Sequence, residues 1–137
     1  MLRIVRIEDF KSFHTELNAV FSQQTALKVY VLFFGSEDPQ TGESWCPDCV
    51  IADPLIRKTL NRLATTINGD VVLIEAPCGP RSVYKNNPEH PYRVDPLIKL
   101  KFVPTLVEWA QNGPIKQLFE DDDCANASKL NSFVGLV

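Results

Sequence analysis

The sequence lacks both an excess of positive charge and a long apolar run. Its 14 Lys and Arg stand against 17 Asp and Glu, for a formal net charge of −3, so it has no broad basic surface of the kind that usually marks nucleic-acid or anionic-membrane binding. No apolar run reaches membrane-spanning length. Charged residues interrupt the first ten positions, unlike the apolar region of a secretory signal. We therefore expect a cytoplasmic protein that binds neither nucleic acid nor membrane.

Histidine and cysteine are also scarce, which limits metal sites and disulfide frameworks. The two histidines, His14 and His90, have no partner at a metal-ligand spacing. Cys78 and Cys124 are isolated, and we expect them to be structural or incidental. Only Cys46 and Cys49 form a Cys-x-x-Cys pair. One close pair and two isolated cysteines are a poor match to a disulfide framework. In a reducing compartment all four would be thiols.

Length and composition indicate one ordinary globular domain. A chain of 137 residues, 45% of them hydrophobic, can bury a self-sufficient core without disulfides or metals. The sequence contains no internal repeat and no linker. We therefore predict a single domain over residues 1–137, and a monomer.

Hydrophobic periodicity predicts an α/β fold with the element order βαβαβ(α)ββα. The predicted strands are 2–7, 27–34, 71–74, 105–109 and 115–119, and the predicted helices are 10–21, 46–67, 95–101 and a C-terminal one from 127. Right-handed crossovers make the first three strands parallel and leave the last two as an antiparallel hairpin. The result is a mixed sheet of about five strands flanked by helices. Long loops over 35–44 and 76–93 are expected at the same, carboxyl end of the parallel strands.

The cysteine pair is the strongest chemical signal. Cys46 opens a helix after a buried strand, where unpaired helix amides stabilise a thiolate. Cys49 lies one turn further on, placed to attack a mixed disulfide on Cys46. On the motif alone, two other interpretations stay open: half of a zinc site completed by Cys78 and Cys124, or two incidental helix cysteines.

The residues around the pair carry a family resemblance. The sequence Trp45-Cys46-Pro47-Asp48-Cys49, the helix residue Pro54, the step Val103-Pro104-Thr105 before a strand, and the element order resemble the thioredoxin superfamily. The Trp-Cys-Pro-Asp-Cys form is similar to one branch of it, the thioredoxin-related proteins of 14 kDa, also called the thioredoxin domain-containing protein 17 family. The likeness covers essentially the whole chain.

The resemblance implies roles for the residues beside the catalytic Cys46 and Cys49. It implies substrate binding by Trp45, Val103 and Pro104, with a cis peptide bond before Pro104. It also implies that Pro47 and Asp48 tune the dithiol. The alternative for Trp45 is a plain core tryptophan, and for Pro104 a simple strand-entry proline.

The resemblance further implies an activity and its partners. The expected activity is reduction of protein disulfides or small disulfides, with cystine and a dynein light chain among the substrates, and with some peroxidase activity. The expected electron source is NADPH through thioredoxin reductase, with no bound cofactor and no metal. The competing hypothesis is a non-enzymatic, redox-sensing adaptor, and a weaker one is a zinc-binding module.

Two features depart from ordinary thioredoxin. Leu32 stands where thioredoxin carries a buried aspartate that assists proton transfer from the inner cysteine, so Asp48 or water would have to assist instead. The acidic run 120–123 stands near a substrate-docking loop of thioredoxin. If that run faces the dithiol, basic or neutral substrates are preferred over acidic ones; otherwise it is the solvated start of a helix.

Overall fold

A five-stranded mixed sheet forms the centre of the molecule. The computed structural model describes residues 1–23, 28–119 and 121–136, with side chains for all of these except 119, 121 and 122. The strands are β1 (Leu2–Arg6), β2 (Lys28–Phe34), β3 (Val71–Pro77), β4 (Thr105–Ala110) and β5 (Gly113–Phe119). Their order is β1-β3-β2-β4-β5, with β1, β3 and β2 parallel and β4 and β5 antiparallel. The predicted sheet is therefore confirmed.

Helices flank the sheet. They are the 3-10 turn Phe10–Ser12, α1 (Phe13–Gln23), α2 (Pro47–Ile67), α3 (Arg81–Tyr84), α4 (Pro91–Val94), α5 (Asp121–Cys124) and α6 (Ala127–Val134). Among the described residues, no helix combines the length and apolarity that crossing a membrane requires. The predicted helices near 10–21, 46–67 and 127 onward are confirmed, with ends that move by one to three residues.

β2 is the central strand because both of its faces are apolar. Its alternating side chains divide the core into two clusters, as the period of two in a strand requires. Tyr30, Leu32 and Phe34 belong to the cluster formed with α2 and α6. Val31 and Phe33 belong to the opposite cluster, which contains α1. β2 pairs with β3 along one edge and with β4 along the other. This pairing fixes the carboxyl end of β2, from which the next loop begins.

The segment between β3 and β4 differs from the sequence expectation. The expected loop 76–93 contains α3, α4 and the last residues of β3, whose Pro77 pairs in register with Phe34. The predicted helix 95–101 is wrong, because the helical turn lies earlier, at Pro91–Val94.

Capping explains why that helical turn comes early. Pro91 occupies the first helical position, which suits proline, and the His90 side chain accepts a hydrogen bond from the Tyr92 backbone N–H at 3.0 Å. Asp95 precedes a proline and takes an extended conformation. Its carboxylate accepts the Leu97 N–H at 2.9 Å, a turn that competes with helix.

Candidate active site

The dithiol lies where the chain leaves the carboxyl end of β2 and enters α2. Between them, residues 35–45 form a loop closed by an isolated bridge between Glu37 and Ser44. The Ser44 hydroxyl donates to the Gly35 carbonyl at 2.5 Å and accepts the Cys46 N–H at 3.1 Å. This pair of hydrogen bonds fixes the backbone of Cys46 relative to the end of the central strand.

Cys46 is the N-cap of α2, and its sulfur is the focus of the site. The Cys46 Sγ accepts the backbone N–H of Cys49 at 3.2 Å and lies 2.7 Å from the Cys49 Sγ. The hydrogen bond from the Cys49 thiol lowers the pKa of Cys46, and the backbone N–H groups of Cys49 and Asp48 add to this. Burial and the charge of Asp48 act against that change in the pKa, but the net direction is downward.

Cys49 has the opposite character. Its thiol donates to Cys46 and is buried, and both effects raise its pKa. These opposed directions favour the proton on Cys49 and the negative charge on Cys46. This is the division expected of an attacking and a resolving thiol.

Cys46 is less exposed to solvent than its position at the start of a helix would lead one to expect. Only 5% of its surface is exposed, against 3% for Cys49. Cys46 nevertheless lines a cleft of about 610 Å³, together with Trp45, Pro47, Asp48 and other side chains. A substrate that reaches the sulfur has to enter this cleft.

The start of β4 borders the same sulfur. The Val103–Pro104 peptide bond is cis, and the Val103 carbonyl oxygen lies 3.7 Å from the Cys46 Sγ. Val103 is half-buried and lines the cleft, and Pro104 is buried. The structure thus brings Val103, 57 positions away in sequence, to the cysteine motif.

Trp45 is half-buried and packs tightly on the end of β2. A Cβ on Gly35 would lie 2.5 Å from the Trp45 Cε2, so only glycine leaves room for the indole. The indole Nε1 donates to the Gly79 carbonyl at 2.9 Å. Trp45 therefore ties the loop after β2 to the segment after β3, and one side of it lines the cleft.

A smaller cavity lies against Cys49. It measures about 250 Å³, and its lining includes Cys49, Glu37, Glu43, Asp53 and Arg57. Leu32 is 1% exposed and supplies no carboxylate to the inner cysteine. The sequence analysis missed this cavity, because its acidic residues come from a loop and a helix with no shared motif.

A network of ion pairs holds one wall of that cavity. The Arg6 guanidinium bonds to both Glu37 oxygens at 2.7 and 3.1 Å and lies 3.3 Å from Glu75. Arg57 contacts Glu75 at 2.5 Å and Asp53 at 2.9 Å. The hydrogen bonds from Arg6 hold the pKa of Glu37 below its ordinary value. The network joins the loop 35–45 to β1, β3 and α2.

The other cysteines are buried and weakly acidic. Burial raises the pKa of Cys78 to about 12, and that of Cys124 to about 12. Within residues 1–23, 28–119 and 121–136, no three His, Cys, Asp or Glu side chains cluster as a metal site would require. His90 Nε2 instead lies 2.7 Å from the Cys78 carbonyl, and His14 Nε2 lies 2.6 Å from Asp95.

The acidic run is only partly described. Residue 120 and the side chains of residues 121 and 122 lie outside the described part of the structure. Asp123 pairs with Lys129 at 2.6 Å. Whether the run faces the dithiol stays a prediction.

Comparison with known proteins supports the thioredoxin resemblance. A sequence model of the "Thioredoxin domain-containing protein 17-like, thioredoxin domain" family matches residues 6–135. The chain is 31% identical to human thioredoxin domain-containing protein 17 over 124 residues, which cover 90% of this chain and 88% of that protein.

A plant relative and a solved structure agree with this match. Thioredoxin-like protein Clot of Arabidopsis thaliana is 46% identical over 92 residues, or 67% of this chain, and the matched stretch spans only 64% of the Clot protein. In fold, the chain resembles the crystal structure of thioredoxin O2 from Arabidopsis thaliana, with a TM-score of 0.58 and 14% identity over 96% of this chain and 91% of that one. The chain therefore belongs to the thioredoxin domain-containing protein 17-like family and has the thioredoxin fold.

Proposed function

We propose that this protein is a cytoplasmic disulfide reductase in which Cys46 attacks the substrate and Cys49 resolves the intermediate. The observation that carries the proposal is the pair of hydrogen bonds from Cys49, one from its backbone and one from its thiol, that converge on the Cys46 sulfur. They favour a thiolate on Cys46 at the wall of an open cleft. A thiolate is the form that attacks disulfides.

The first step is attack by the Cys46 thiolate on one sulfur of the substrate. A new bond forms between that sulfur and Cys46, the substrate S–S bond breaks, and the other half leaves as a thiolate that takes up a proton. The Val103 carbonyl beside Cys46 offers a backbone acceptor for an extended substrate segment. The implied substrate-binding roles of Trp45, Val103 and Pro104 belong to this step.

The second step is displacement of the bound half by Cys49. Once Cys46 is in a mixed disulfide it carries no charge, so the main cause of the raised pKa of Cys49 disappears. Cys49 then gives its proton to Asp48 or to water and attacks the Cys46 sulfur. The second half of the substrate leaves as a thiol, and a Cys46–Cys49 disulfide remains.

The chain then needs two electrons from a donor. By family resemblance we assign these to NADPH through thioredoxin reductase, with cystine and a dynein light chain as candidate substrates and peroxide as a secondary one. Thioredoxin reductase would reduce the Cys46–Cys49 disulfide by the same exchange chemistry in reverse.

A coupled assay tests the proposal. We expect the protein to support continuous NADPH oxidation in the presence of thioredoxin reductase and cystine, and Cys46→Ser to abolish it. Cys78→Ala is the matched control, because that thiol is buried and outside the cleft lining, and it should keep the activity. Reversible oxidation of the dithiol without turnover would instead support the adaptor hypothesis, and stoichiometric zinc after purification under reducing conditions would support the zinc hypothesis.

A further inference from the structure

The cleft at Cys46 carries a charge opposite to that of the whole protein. Its lining includes four cationic side chains and one carboxylate, Asp48. The cationic residues are Arg81, Lys85, Arg93 and Lys101. The local formal charge is thus +3 with Cys46 as a thiol and +2 with Cys46 as a thiolate, whereas the whole chain carries −3. A cleft lined by one sign of charge concentrates ligands of the other sign.

Arg93 is held rigidly in the wall of the cleft. Its guanidinium carbon lies 3.9 Å from the centre of the Tyr84 ring, a cation–π contact. Its terminal nitrogens donate to the Lys101 carbonyl at 3.2 Å and the Tyr84 carbonyl at 3.4 Å. The Arg93 Nε and the Tyr84 hydroxyl are buried and have no hydrogen-bond partner among the described residues. The cation–π contact and the two hydrogen bonds therefore fix the Arg93 charge in the wall of the cleft.

The other three cations are exposed and form no ion pair with the described side chains. Arg81, Lys85 and Lys101 are all exposed. None of them pairs with a carboxylate among the side chains that the structure describes. Their charge therefore remains available to a ligand within about 8 Å at physiological ionic strength.

The size of the cleft indicates the scale of that ligand. A volume of about 610 Å³ lies within the range of small-molecule sites, roughly 300 to 1,000 Å³. Cys46 is 5% exposed, which disfavours a flat protein surface and favours a ligand that enters the cleft. Phe102, which is 46% exposed, and Trp45 add aromatic surface beside the cations.

We propose that the cleft selects small disulfides that carry carboxylate groups near the sulfur atoms. This inference rests on the proposed reductase function and names its substrate class. The reduced protein, with a Cys46 thiolate and a Cys49 thiol, reacts with one anionic disulfide and takes one proton from solvent. The products are the Cys46–Cys49 disulfide and two carboxylate-bearing thiols, so two electrons pass to the substrate and the protons balance. The cationic wall attracts the substrate and also stabilises the thiolate that leaves in the first step.

This substrate class differs from the one that the acidic run suggested. The sequence predicted a preference for basic or neutral substrates if residues 120–123 face the dithiol. The described wall of the cleft is instead cationic, and its four positive residues come from three separate stretches of chain.

Three small disulfides of similar size test the inference. They are 3,3′-dithiodipropionate, which is anionic, bis(2-hydroxyethyl) disulfide, which is neutral, and cystamine, which is cationic. Each disulfide is mixed with the reduced protein in a single-turnover experiment that measures the rate constant of protein oxidation. That rate constant is divided by the rate constant for reduction of the same disulfide by dithiothreitol, which removes differences in the intrinsic reactivity of the three disulfides. We expect the normalised rates to fall in the order anionic, neutral, cationic, with about a tenfold range or more at low ionic strength.

A charge-reversal variant and a matched control locate the effect. In the triple variant Arg81→Glu, Lys85→Glu and Lys101→Glu, the ratio of the anionic to the neutral rate should fall by about tenfold. The control is Arg3→Glu, Lys11→Glu and Lys58→Glu, exposed positions outside the cleft lining. It has the same net charge and should keep the wild-type ratio. Equal ratios in the two triple variants would overturn the inference.

A salt series needs no variant, so it gives a result even if the triple variant fails to fold. Raising the ionic strength from about 0.01 M to about 1 M should remove most of the preference of the wild-type protein. Normalised rates that are equal for the three disulfides, yet dependent on Cys46, would overturn the substrate class and leave the reductase function standing. Rates no faster than those of Cys46→Ser for all three would overturn both.

Discussion

The two sides of the dithiol differ in charge and in the way that charge is held. On the Cys46 side, the cleft is lined by four cations and one carboxylate. On the Cys49 side, the smaller cavity is lined by three carboxylates and one cation, and ion pairs tie most of these to the scaffold. Unpaired positive charge therefore lies beside Cys46, the sulfur with the lowered pKa, whereas carboxylates lie beside Cys49, the thiol that must lose a proton.

Replacing each cysteine in turn should have the largest effect, because the two thiols have different roles in the reaction. Cys46→Ser should abolish disulfide reduction, because the attacking sulfur is lost. Cys49→Ser should still attack once and then stay joined to its substrate, because no thiol remains to displace it. Mass spectrometry after mixing with a disulfide should show the adduct only in Cys49→Ser. A stable adduct on Cys49 in Cys46→Ser would reverse the assigned roles.

Gly35→Ala disturbs the wall on the Cys46 side. The new methyl group would lie 2.5 Å from the Trp45 ring, so the indole has to move. We expect a loss of about 1–3 kcal/mol in the free energy of unfolding, which is typical of overpacking. Urea denaturation measures it, and the same change in a Trp45→Ala background should cost much less. Equal losses in both backgrounds would show that the indole contact is not the cause.

Arg57→Met disturbs the wall on the Cys49 side. Arg57 bonds to Asp53 and to Glu75, whose side chain is only 13% exposed. Its loss leaves Glu75 with Arg6 as its remaining ion-pair partner among the described residues. We expect a loss of about 1–2 kcal/mol in the free energy of unfolding. Lys58→Met, at the neighbouring exposed position, is the control and should change the free energy of unfolding by less than about 0.5 kcal/mol.

Asp48→Asn should have the smallest effect, a change in the pKa of Cys46. Asp48 lines the cleft beside Cys46, and its charge is one of the lesser influences on that pKa. Its charge raises the pKa of Cys46, while its backbone N–H, which the substitution keeps, lowers it. Removing the charge should therefore lower the pKa of Cys46 further. The alkylation rate of Cys46 should then begin to rise at a lower pH than in the wild type. An upward shift of that profile would contradict the assigned effect of Asp48.

The sequence could predict the parts of the fold in which local pattern and tertiary packing agree. β2 is apolar along nearly its whole length because both of its faces are buried. α2 begins at the cysteine motif because Cys46 caps it and Pro47 suits its first turn. These two elements alone place Cys46 at the carboxyl end of the sheet.

The helical turn Pro91–Val94 and the cationic wall of the cleft could not be predicted, because they depend on side-chain contacts that a sequence pattern does not show. The predicted helix 95–101 was wrong because His90 and Pro91 start a helical turn earlier and Asp95 ends it. The cations of the cleft are 20 positions apart from first to last, Arg81 to Lys101, with no periodicity that would show them sharing a wall. They meet because Arg93 stacks on Tyr84 and bonds to the Lys101 carbonyl. Side-chain geometry of this kind has no signature in one sequence.

The most direct test of the central claim is the pKa of Cys46, measured from its alkylation rate against pH. The account predicts a value below that of a free cysteine thiol, about 8.5, because the Cys49 thiol donates to the Cys46 sulfur. It also predicts that Cys49→Ala raises this pKa, since the donor is then lost. An ordinary pKa that does not change in Cys49→Ala would contradict the claim that Cys49 holds Cys46 as a thiolate.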